Sequence, residues 1–299
     1  MRIKRAAKYG FCAGVRIADR KVRRFARLGG GDGSILGQVV HNERVVEEMD
    51  RLGVPTVDTL DEAPSGNKAT GGDKTTGGTV VFSAHGVPPS FHREAQSRGL
   101  KVLDTTCPFV YDIHEEADRA VAAGAHLVFI GEPNHREVIG YTHDRDPETY
   151  HVLSTLAEAR QVDWSRYPLL KVLYQTTLNA EEYEPVVRYI EEHNARVERA
   201  DTICYATKEN QDAARELADD PEIGVILVVG GRRSANTRHL WEICQEHRPS
   251  YLIHGPEDLC REWFEGVETV GITAGASTPD FLIEEVEAAI QDLTAPATV

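Results

Sequence analysis

The sequence lacks any apolar run approaching the ~18 residues of a membrane span, and its basic N-terminus lacks the apolar stretch of a signal peptide. Its five cysteines are odd in number and show no close pairing, which argues against a disulfide framework. It contains no Walker phosphate loop and no H-E-x-x-H motif. The glycines of residues 29–34 follow a helix and precede a strand, the reverse of a dinucleotide fingerprint. These absences predict a cytoplasmic protein whose cysteines are thiols or metal ligands.

Excess positive charge is also lacking: the formal net charge is −15 over 299 residues, which argues against a nucleic-acid partner. The apolar content of 41% is that of a globular protein, and the length suggests roughly two domains. The charge is uneven, because residues 1–30 hold ten basic side chains and one acid, Asp19. A solvated helix face is the simplest interpretation. The ten are Arg2, Lys4, Arg5, Lys8, Arg16, Arg20, Lys21, Arg23, Arg24 and Arg27.

When the chain is aligned on Cys12, Cys107 and Cys204, the same order of features occurs three times. Each cysteine precedes a segment with apolar residues at helical spacing, then a short apolar strand, then a polar loop residue. The loop residue follows its cysteine by 29, 28 and 30 positions, and the cysteines are 95 and 97 positions apart. The strands are ILGQVV, HLVFI and VILVV, and the loop residues are His41, His135 and Ser234.

Each copy continues with a helix, a short strand, a related segment (VDTLDEA, LSTLAEA or HGPEDLC) and a further apolar strand that ends in a polar cluster. The clusters contain His85, Thr176 and Ser277, which follow the loop residues by 44, 41 and 43 positions. Landmarks in the same order three times indicate an internal repeat. We therefore predict an α/β fold of three pseudo-threefold-related units, each with a small parallel sheet covered by helices.

The predicted segments are 1–104, 105–200 and 201–288, followed by a tail at 289–299. Residues 62–78, rich in glycine and threonine and without periodicity, predict a flexible surface loop in the first segment. Ligands of parallel α/β sheets bind beyond the carboxyl ends of the strands. We therefore expect the three units to direct their cysteines and polar loop residues toward one shared centre.

Three cysteines that open helices are suited to ligate a metal as thiolates, because helix N-termini carry partial positive charge. Buried cysteines are common in cores, but equivalent places in a repeat favour ligation. Structural zinc usually takes closely spaced cysteine pairs, which this sequence lacks, although a Cys3His zinc site stays an alternative. A four-iron cluster on three cysteines would leave one iron open to substrate. Cys244 and Cys260 have no counterparts and are predicted to be structural.

The polar residues at strand ends and helix starts suit a phosphate or diphosphate, which accepts many hydrogen bonds. Glu137, two residues after His135, is the candidate proton donor, with a solvated helix-start carboxylate as the alternative. Taken singly, Asn42 and Asn236 fit helix caps. The candidate anion-binding set is His41, His85, His135, Ser234, Asn236 and Ser277.

Nine motifs, in order from Gly10 to about Leu282, resemble the LytB-type family of 4-hydroxy-3-methylbut-2-enyl diphosphate reductases. These enzymes end the methylerythritol phosphate route to isoprenoids. The motifs cover nearly the whole chain, and their order and spacing make the resemblance specific. They are GFCAGV, VVHN, FSAHGV, DTTCPFV, HREVIG, QTTL, DTICYAT, RRSAN and ITAGAS.

The resemblance implies a four-iron, four-sulfur cluster ligated by Cys12, Cys107 and Cys204, with one iron free of protein thiolate. It implies two-electron reductive dehydration of the hydroxylated allylic diphosphate to isopentenyl and dimethylallyl diphosphate. Glu137 would help deliver protons, and Thr176 would lie near the substrate hydroxyl. A ferredoxin- or flavodoxin-type donor would supply electrons, and we expect the basic N-terminal helix to help dock it. The diphosphate would be held by His41, His85, Ser234, Asn236 and Ser277, with His135 alongside.

Three departures from the family pattern are visible. Ile17 stands where many relatives carry arginine, Ala235 replaces a serine often found between Ser234 and Asn236, and the loop GEPNH differs. We expect them to affect substrate affinity or product ratio more than reaction class. The alternatives are a non-catalytic Cys3His zinc or redox-sensing protein of the same fold, and a paralogue acting on another allylic diphosphate.

Overall fold

The computed structural model describes residues 1–29, 32–64 and 77–295, in which strands and helices alternate. None of the helices in these ranges combines the length and hydropathy of a membrane span. The strands are β1 (Arg2–Arg5), β2 (Gly33–Leu36), β3 (Thr56–Val57), β4 (Thr79–Phe82), β5 (Lys101–Asp104), β6 (His126–Ile130), β7 (Tyr150–Leu153), β8 (Leu170–Tyr174), β9 (Val197–Arg199), β10 (Val225–Val229), β11 (Ser250–Ile253) and β12 (Thr269–Ala274). The helices are α1 (Ala13–Arg27), α2 (Glu43–Arg51), α3 (Pro89–Ser97), α4 (Pro108–Ala122), α5 (Arg136–Thr142), α6 (Leu156–Ala159), α7 (Ala180–His193), α8 (Tyr205–Asp219), α9 (Ala235–His247) and α10 (Asp280–Thr294).

The strands form three four-stranded parallel sheets, in the orders β3-β2-β4-β5, β7-β6-β8-β9 and β1-β12-β10-β11. The prediction of an α/β fold with three small parallel sheets is confirmed. In each sheet an edge strand is the one that precedes a cysteine: β5 before Cys107, β9 before Cys204 and β1 before Cys12. Because β1 pairs with β12, the first strand lies in the sheet of the C-terminal segment, outside the predicted 1–104 unit.

The repeat is visible in a detail of backbone bonding. In each sheet, the residue that directly follows β3, β7 or β11 donates its N–H to a carboxylate four positions later. The pairs are Asp58 to Glu62 (3.1 Å), Ser154 to Glu158 (2.7 Å) and His254 to Asp258 (2.8 Å). These pairs lie in the three related segments VDTLDEA, LSTLAEA and HGPEDLC. The sequence similarity of these segments therefore reflects a turn that occurs three times in the chain.

The described chain divides into two compact units. The first contains Met1–Arg16, Val40–Glu47 and the chain from Tyr205 onward. Its sheet is β1-β12-β10-β11. The odd-numbered residues of β10 share one apolar core with α10, and the even-numbered residues share another with α8 and α9. Both faces of this sheet are therefore covered by helices, as expected for a parallel sheet.

The second unit contains the described residues of Ile17–Val39 and Glu48–Cys204. It holds the other two sheets. In β7-β6-β8-β9, Val128 and Ile130 share a core with α7, whereas Leu127 and Phe129 share one with α4. The alternation along β6 again buries both faces of a parallel sheet. In β3-β2-β4-β5, Leu36 and other strand residues pack in a core with α3.

Two predicted boundaries differ from the structure. The strand predicted for ILGQVV ends at Leu36, because Gly37 has φ +71°, which turns the chain out of the extended conformation. The predicted tail at 289–299 begins as the last turns of α10, which continues to Thr294, and residues 296–299 lie outside the described part. Most of the predicted 62–78 loop, residues 65–76, also lies outside the described residues.

Candidate active site

The three predicted cysteines occupy equivalent places in the fold. Each lies directly before a helix, is half-buried and is not part of a disulfide: Cys12 before α1, Cys107 at the N-cap of α4 and Cys204 before α8. Each also donates its backbone N–H to a carbonyl in the loop after a strand end. These bonds run from Cys12 to Ala276 (3.2 Å), from Cys107 to Ala84 (3.0 Å) and from Cys204 to Thr176 (3.0 Å). These bonds fix the local backbone of each cysteine.

The motifs DTTCPFV and DTICYAT share the pattern Asp-Thr-x-Cys, and the threonine of this pattern has a structural role. The hydroxyls of Thr105 and Thr202 each donate to the carbonyl of the last residue of the preceding central strand, β4 or β8. Before Cys12, Gly10 occupies the position of this threonine. The Gly10 N–H donates to the carbonyl of Ala274, the last residue of β12, at 3.0 Å. Gly10 has φ +69°, a conformation that side-chain-bearing residues rarely adopt. The threonines therefore tie the cysteine loop to the sheet.

Glu137 is the most enclosed acid of the second unit, with 1% of its surface exposed. Its Oε1 accepts hydrogen bonds from the Thr176 N–H (2.7 Å) and the Tyr141 hydroxyl (3.0 Å). Its Oε2 accepts one from the Thr176 hydroxyl (2.8 Å). Glu137 lies in the first turn of α5, and Thr176 lies in the loop after β8. The structure brings these two predicted catalytic residues into direct contact.

The buried environment of Glu137 raises the pKa of its carboxyl. Burial raises the pKa of the carboxyl to about 6, although the hydrogen bonds from Thr176 and Tyr141 lower it. A carboxyl with a pKa of about 6 is a better proton donor near neutral pH than an ordinary exposed glutamate. The alternative interpretation of Glu137 as a solvated helix-start carboxylate is incompatible with its burial.

Two predicted histidines lie beside Glu137. His135 is the N-cap residue of α5, and its Nδ1 accepts the Glu137 N–H at 3.3 Å. The His85 ring meets the His135 ring edge to face, with centroids 5.9 Å apart. The second unit therefore holds His85, His135, Glu137 and Thr176 in one neighbourhood.

The strand registers correct one equivalence in the repeat. Phe82, Tyr174 and Ala274 are the last residues of β4, β8 and β12. His85 lies three positions after Phe82, and Ser277 lies three positions after Ala274. The residue three positions after Tyr174 is Thr177, so the repeat makes Thr177 the equivalent of His85 and Ser277. Thr176 instead corresponds to the residue whose carbonyl binds a cysteine N–H. Spacing by sequence alone could not resolve adjacent threonines.

The first unit holds the remaining predicted polar residues. The Ser277 hydroxyl donates to the His41 carbonyl (3.1 Å) and lies 3.4 Å from the Ser234 hydroxyl. Ser234 is the N-cap of α9, where its side chain accepts the Thr237 N–H at 3.2 Å. Two serine hydroxyls therefore meet at the start of a 13-residue helix, a favourable position for an anion.

Asn236 is an unusual residue of this group. It is 3% exposed, and within the described part of the chain neither its amide nitrogen nor its amide oxygen has a hydrogen-bond partner. A buried amide without partners is costly, so such a group in a native protein usually has an external partner. The cap interpretation fits Asn42, whose oxygen accepts the N–H groups of Arg44 and Val45, but it does not fit Asn236.

Sequence reasoning missed Tyr141, which is 2% exposed and binds the Glu137 carboxylate. The available signal was its position four residues after Glu137 in a predicted helix, which places both on one face. It also missed Gln175, whose side-chain oxygen accepts the Glu132 N–H at 3.0 Å and whose amide donates to Thr177 at 2.9 Å. Nothing in the sequence singles out this glutamine.

The basic N-terminal region divides into two parts. In the first unit, five basic residues pair with acids: Arg2 with Glu222 and Glu268, Lys4 with Asp220, Arg5 with Glu287, Lys8 with Glu209 and Arg16 with Asp280. In the second unit, α1 exposes Arg20, Lys21, Arg24 and Arg27, which we call the basic face. Within the described residues, Arg20, Arg24 and Arg27 form no ion pair, whereas Arg23 binds Asp19 and Glu48.

The remaining predicted positions are less involved. Ile17 is 44% exposed on α1, and Ala235 is buried in the first turn of α9. Cys244 is fully buried in the core shared with α8, as a structural thiol would be. Cys260 lies on the surface beside Glu262.

Three small parallel sheets, three cysteines at helix starts and one buried glutamate define the class: an α/β protein with thiols and a buried acid at the ends of its strands and helices. Residues 3–291 match the LytB protein family, so the chain belongs to this family of oxidoreductases.

The similar proteins are consistent with this family. The 4-hydroxy-3-methylbut-2-enyl diphosphate reductase of Tolumonas auensis is 39% identical over 292 residues, which cover 96% of this chain and 90% of that protein. The reductase of Aquifex aeolicus is 36% identical over 288 residues, covering 95% and 94%.

Two solved structures share the fold. One is the (E)-4-hydroxy-3-methyl-but-2-enyl diphosphate reductase described as the terminal enzyme of the non-mevalonate pathway, with a TM-score of 0.69 at 35% identity. The alignment covers 98% of this chain and 100% of that chain. The other is the reductase from Plasmodium falciparum, with a TM-score of 0.85 at 25% identity, covering 99% and 89%.

Proposed function

We propose that this protein is a cytoplasmic reductase that converts 4-hydroxy-3-methylbut-2-enyl diphosphate to isopentenyl and dimethylallyl diphosphate. Two electrons and two protons enter, the allylic carbon–oxygen bond breaks, and water leaves. The observation that carries the proposal is the Glu137–Thr176 pair, a buried acid of suitable pKa held by a hydroxyl in a chain of the LytB family.

The diphosphate is the substrate group that suits the polar residues. The hydroxyls of Ser234 and Ser277 and the unpartnered amide of Asn236 lie at the start of α9, where the helix dipole favours negative charge. His41, His85 and His135 complete the proposed set. A diphosphate would supply acceptors for the Asn236 amide, which lacks one within the described chain.

Cys12, Cys107 and Cys204 are proposed to hold a [4Fe–4S] cluster with one iron free of protein thiolate. The donor set fits, because all three thiols are outside disulfides, half-buried and placed at helix starts. When bound, the cluster would supply electrons and an open iron for substrate. Zinc bound by three cysteines and a histidine would provide no redox chemistry, so the cofactor separates this proposal from its main alternative.

The role of Glu137 follows from its contacts. Because the carboxyl is buried, a proton on Oε2 reaches substrate through the Thr176 hydroxyl, which is the hydrogen-bonding partner of that oxygen among the described residues. The hydroxyl accepts the proton from Glu137 and donates its own hydrogen onward, which needs only a rotation about the carbon–oxygen bond. Thr176 therefore orients the substrate hydroxyl and transmits the proton that leaves with water.

The electron donor is proposed to be an acidic ferredoxin- or flavodoxin-type protein that docks on the basic face. Arg20, Arg24 and Arg27 lie at positions i, i+4 and i+7 of α1, so they share one side of the helix. An exposed positive patch on a protein of net charge −15 favours an acidic partner and orients its approach.

The decisive experiment measures cofactor and turnover in the same preparation. We expect anaerobically purified protein to contain iron and sulfide in near-equal amounts and to reduce the diphosphate with a reduced viologen. Glu137→Gln should lower kcat by ~10²- to 10⁴-fold with the cluster intact. Its amide can still accept from Thr176 N–H and Tyr141 and donate to the Thr176 hydroxyl, so the site keeps its shape.

Glu158→Gln is the matched control, because Glu158 belongs to a capping box elsewhere in the same unit. Glutamine also serves in a capping box, so this variant should keep both its stability and its kcat. Stoichiometric zinc without iron would contradict the proposal. Reduction of a different allylic diphosphate in preference to this one would favour the paralogue.

A further inference from the structure

The hydroxyl of Tyr141 is directed at the Glu137 oxygen that Thr176 does not reach with its side chain. We propose that Tyr141 is a positioning residue that confines the catalytic proton of Glu137 to Oε2, on the side of the Thr176 hydroxyl. This inference rests on the proposed function of Glu137 as proton donor. It assigns a role to a residue that does not itself touch substrate.

Two hydrogen-bond donors meet at Oε1 of Glu137. The Thr176 backbone N–H, 2.7 Å away, can only donate, and the Tyr141 hydroxyl lies 3.0 Å away on the same oxygen. A carboxylate oxygen has two lone pairs in its plane, so two donors occupy both. A proton on Oε1 would displace one donor and leave it without an acceptor in a buried site. The proton therefore resides on Oε2.

Without the Tyr141 hydroxyl, one lone pair of Oε1 becomes free. A proton on Oε1 is then compatible with the remaining hydrogen bond from the Thr176 N–H. That proton is on the carboxyl oxygen beside the aromatic core and not on the oxygen that the Thr176 hydroxyl contacts. Such a carboxyl is protonated but cannot transfer its proton through the hydroxyl. The Tyr141 hydrogen bond thus favours the state with the proton on Oε2, which can be transferred through Thr176, over the state with the proton on Oε1, which cannot.

The phenol ring is held so that its hydroxyl cannot turn away. Tyr141 lies one turn after Glu137 on α5 and stacks on Phe129, with ring centroids 5.7 Å apart and an interplanar angle of 14°. The His114 ring also contacts the Tyr141 ring edge to face, with centroids 4.8 Å apart. The Arg145 guanidinium donates to the Tyr141 carbonyl at 2.7 Å.

Burial keeps Tyr141 a neutral donor. Burial, followed by the charge of Glu137, raises its pKa well above the usual value. Burial lowers the pKa of His114 to about 4, so that imidazole is neutral near pH 7. The titratable and charged groups around the pair are His114, His135, Cys107, Arg145 and Asp118.

The test compares Tyr141→Phe with wild type as cluster-containing enzymes. The infrared band of the Glu137 carboxyl is isolated by difference from Glu137→Gln and followed with pH. Loss of one hydrogen bond to the carboxylate should raise the midpoint by about one pH unit, a tenfold change in the dissociation constant. Below that midpoint kcat should fall by up to about tenfold with KM unchanged, because part of the carboxyl is protonated on Oε1.

Tyr150→Phe is the matched control. Tyr150 meets the same Phe129 ring, with centroids 6.2 Å apart, but is not among the described residues that hydrogen-bond Glu137, so both readouts should stay at the wild-type values. An unshifted Glu137 band in Tyr141→Phe overturns the inference, as does an equal shift in Tyr150→Phe. A wild-type enzyme without reductase activity overturns the proposed function, whereas the infrared titration separately decides whether Tyr141 controls the carboxyl.

Discussion

The backbone N–H of Cys204 donates to the carbonyl oxygen of Thr176 over 3.0 Å. The N–H and hydroxyl of the same threonine bind Glu137. One residue therefore connects a proposed cluster ligand with the proposed proton donor. Because these bonds use the Thr176 backbone as well as its side chain, the two functional groups are held in a fixed relation within the second unit.

The cysteines should separate sharply into two classes. We expect serine at Cys12, Cys107 or Cys204 to abolish the brown colour and most of the iron and sulfide, because each substitution removes one of three thiolate ligands. Cys244→Ala should keep the cluster and lose ~1 kcal/mol of stability from a small cavity. Metal analysis and visible absorption distinguish them, and full iron content in any of the three serine variants would remove that residue from the ligand set.

Stability should depend on pH through Glu137. Its folded pKa, about 6, lies above the ordinary value of 4.5, so burial disfavours the charged form. The stabilising contribution is complete below about pH 4.5 and is lost as pH rises through 6, by ~2 kcal/mol in total. Glu137→Gln lacks this titration. Denaturant unfolding of both proteins between pH 4 and 8 should show the difference, and parallel curves would mean that Glu137 has an ordinary pKa.

Asn236→Ala should separate binding from stability. We expect KM to rise by ~10-fold, because one hydrogen bond to the diphosphate is lost. The ligand-free protein should keep its stability or gain up to ~1 kcal/mol, because a buried amide without partners is removed. Asn179→Ala is the control: it loses the N-cap bond to Glu181, costs ~1 kcal/mol and leaves KM unchanged. Destabilisation of Asn236→Ala at constant KM would assign the amide a structural role.

The structure distinguishes the arginines of the basic face from Arg23, which lies on the same helix but pairs with acids. Arg20→Glu with Arg24→Glu should slow turnover driven by an acidic ferredoxin and flatten its salt dependence, with the viologen-driven rate and Tm unchanged. Arg23→Glu should instead lower Tm, because Arg23 bridges Asp19 and Glu48. An unchanged ferredoxin-driven rate in the double variant would place the docking site elsewhere.

Much of the fold could be predicted because the chain repeats itself. Equivalent spacing identified Cys12, Cys107 and Cys204 as one class of residue, and apolar runs located β6 and β10 at their observed bounds. The strand before the first cysteine was not assigned to the last sheet, since pairing of β1 with β12 joins residues at opposite ends of the chain. Local periodicity carries no information about such a partner.

The sequence by itself determined the repeated α/β architecture, the helix-opening cysteines and the identity of the candidate acid, because these depend on residue type and local order. Only the tertiary structure decided that Tyr141 and Thr176 share the Glu137 carboxylate, that Arg23 is held by acids while Arg20 and Arg24 are not, and that Asn236 is buried without a partner in the described chain. Those properties arise from packing between distant segments, which sets burial, donor geometry and pKa. The sequence Asp-Thr-x-Cys occurs before α4 and α8, whereas the contacts around Cys107 and Cys204 differ, as the Thr176 carbonyl at Cys204 shows.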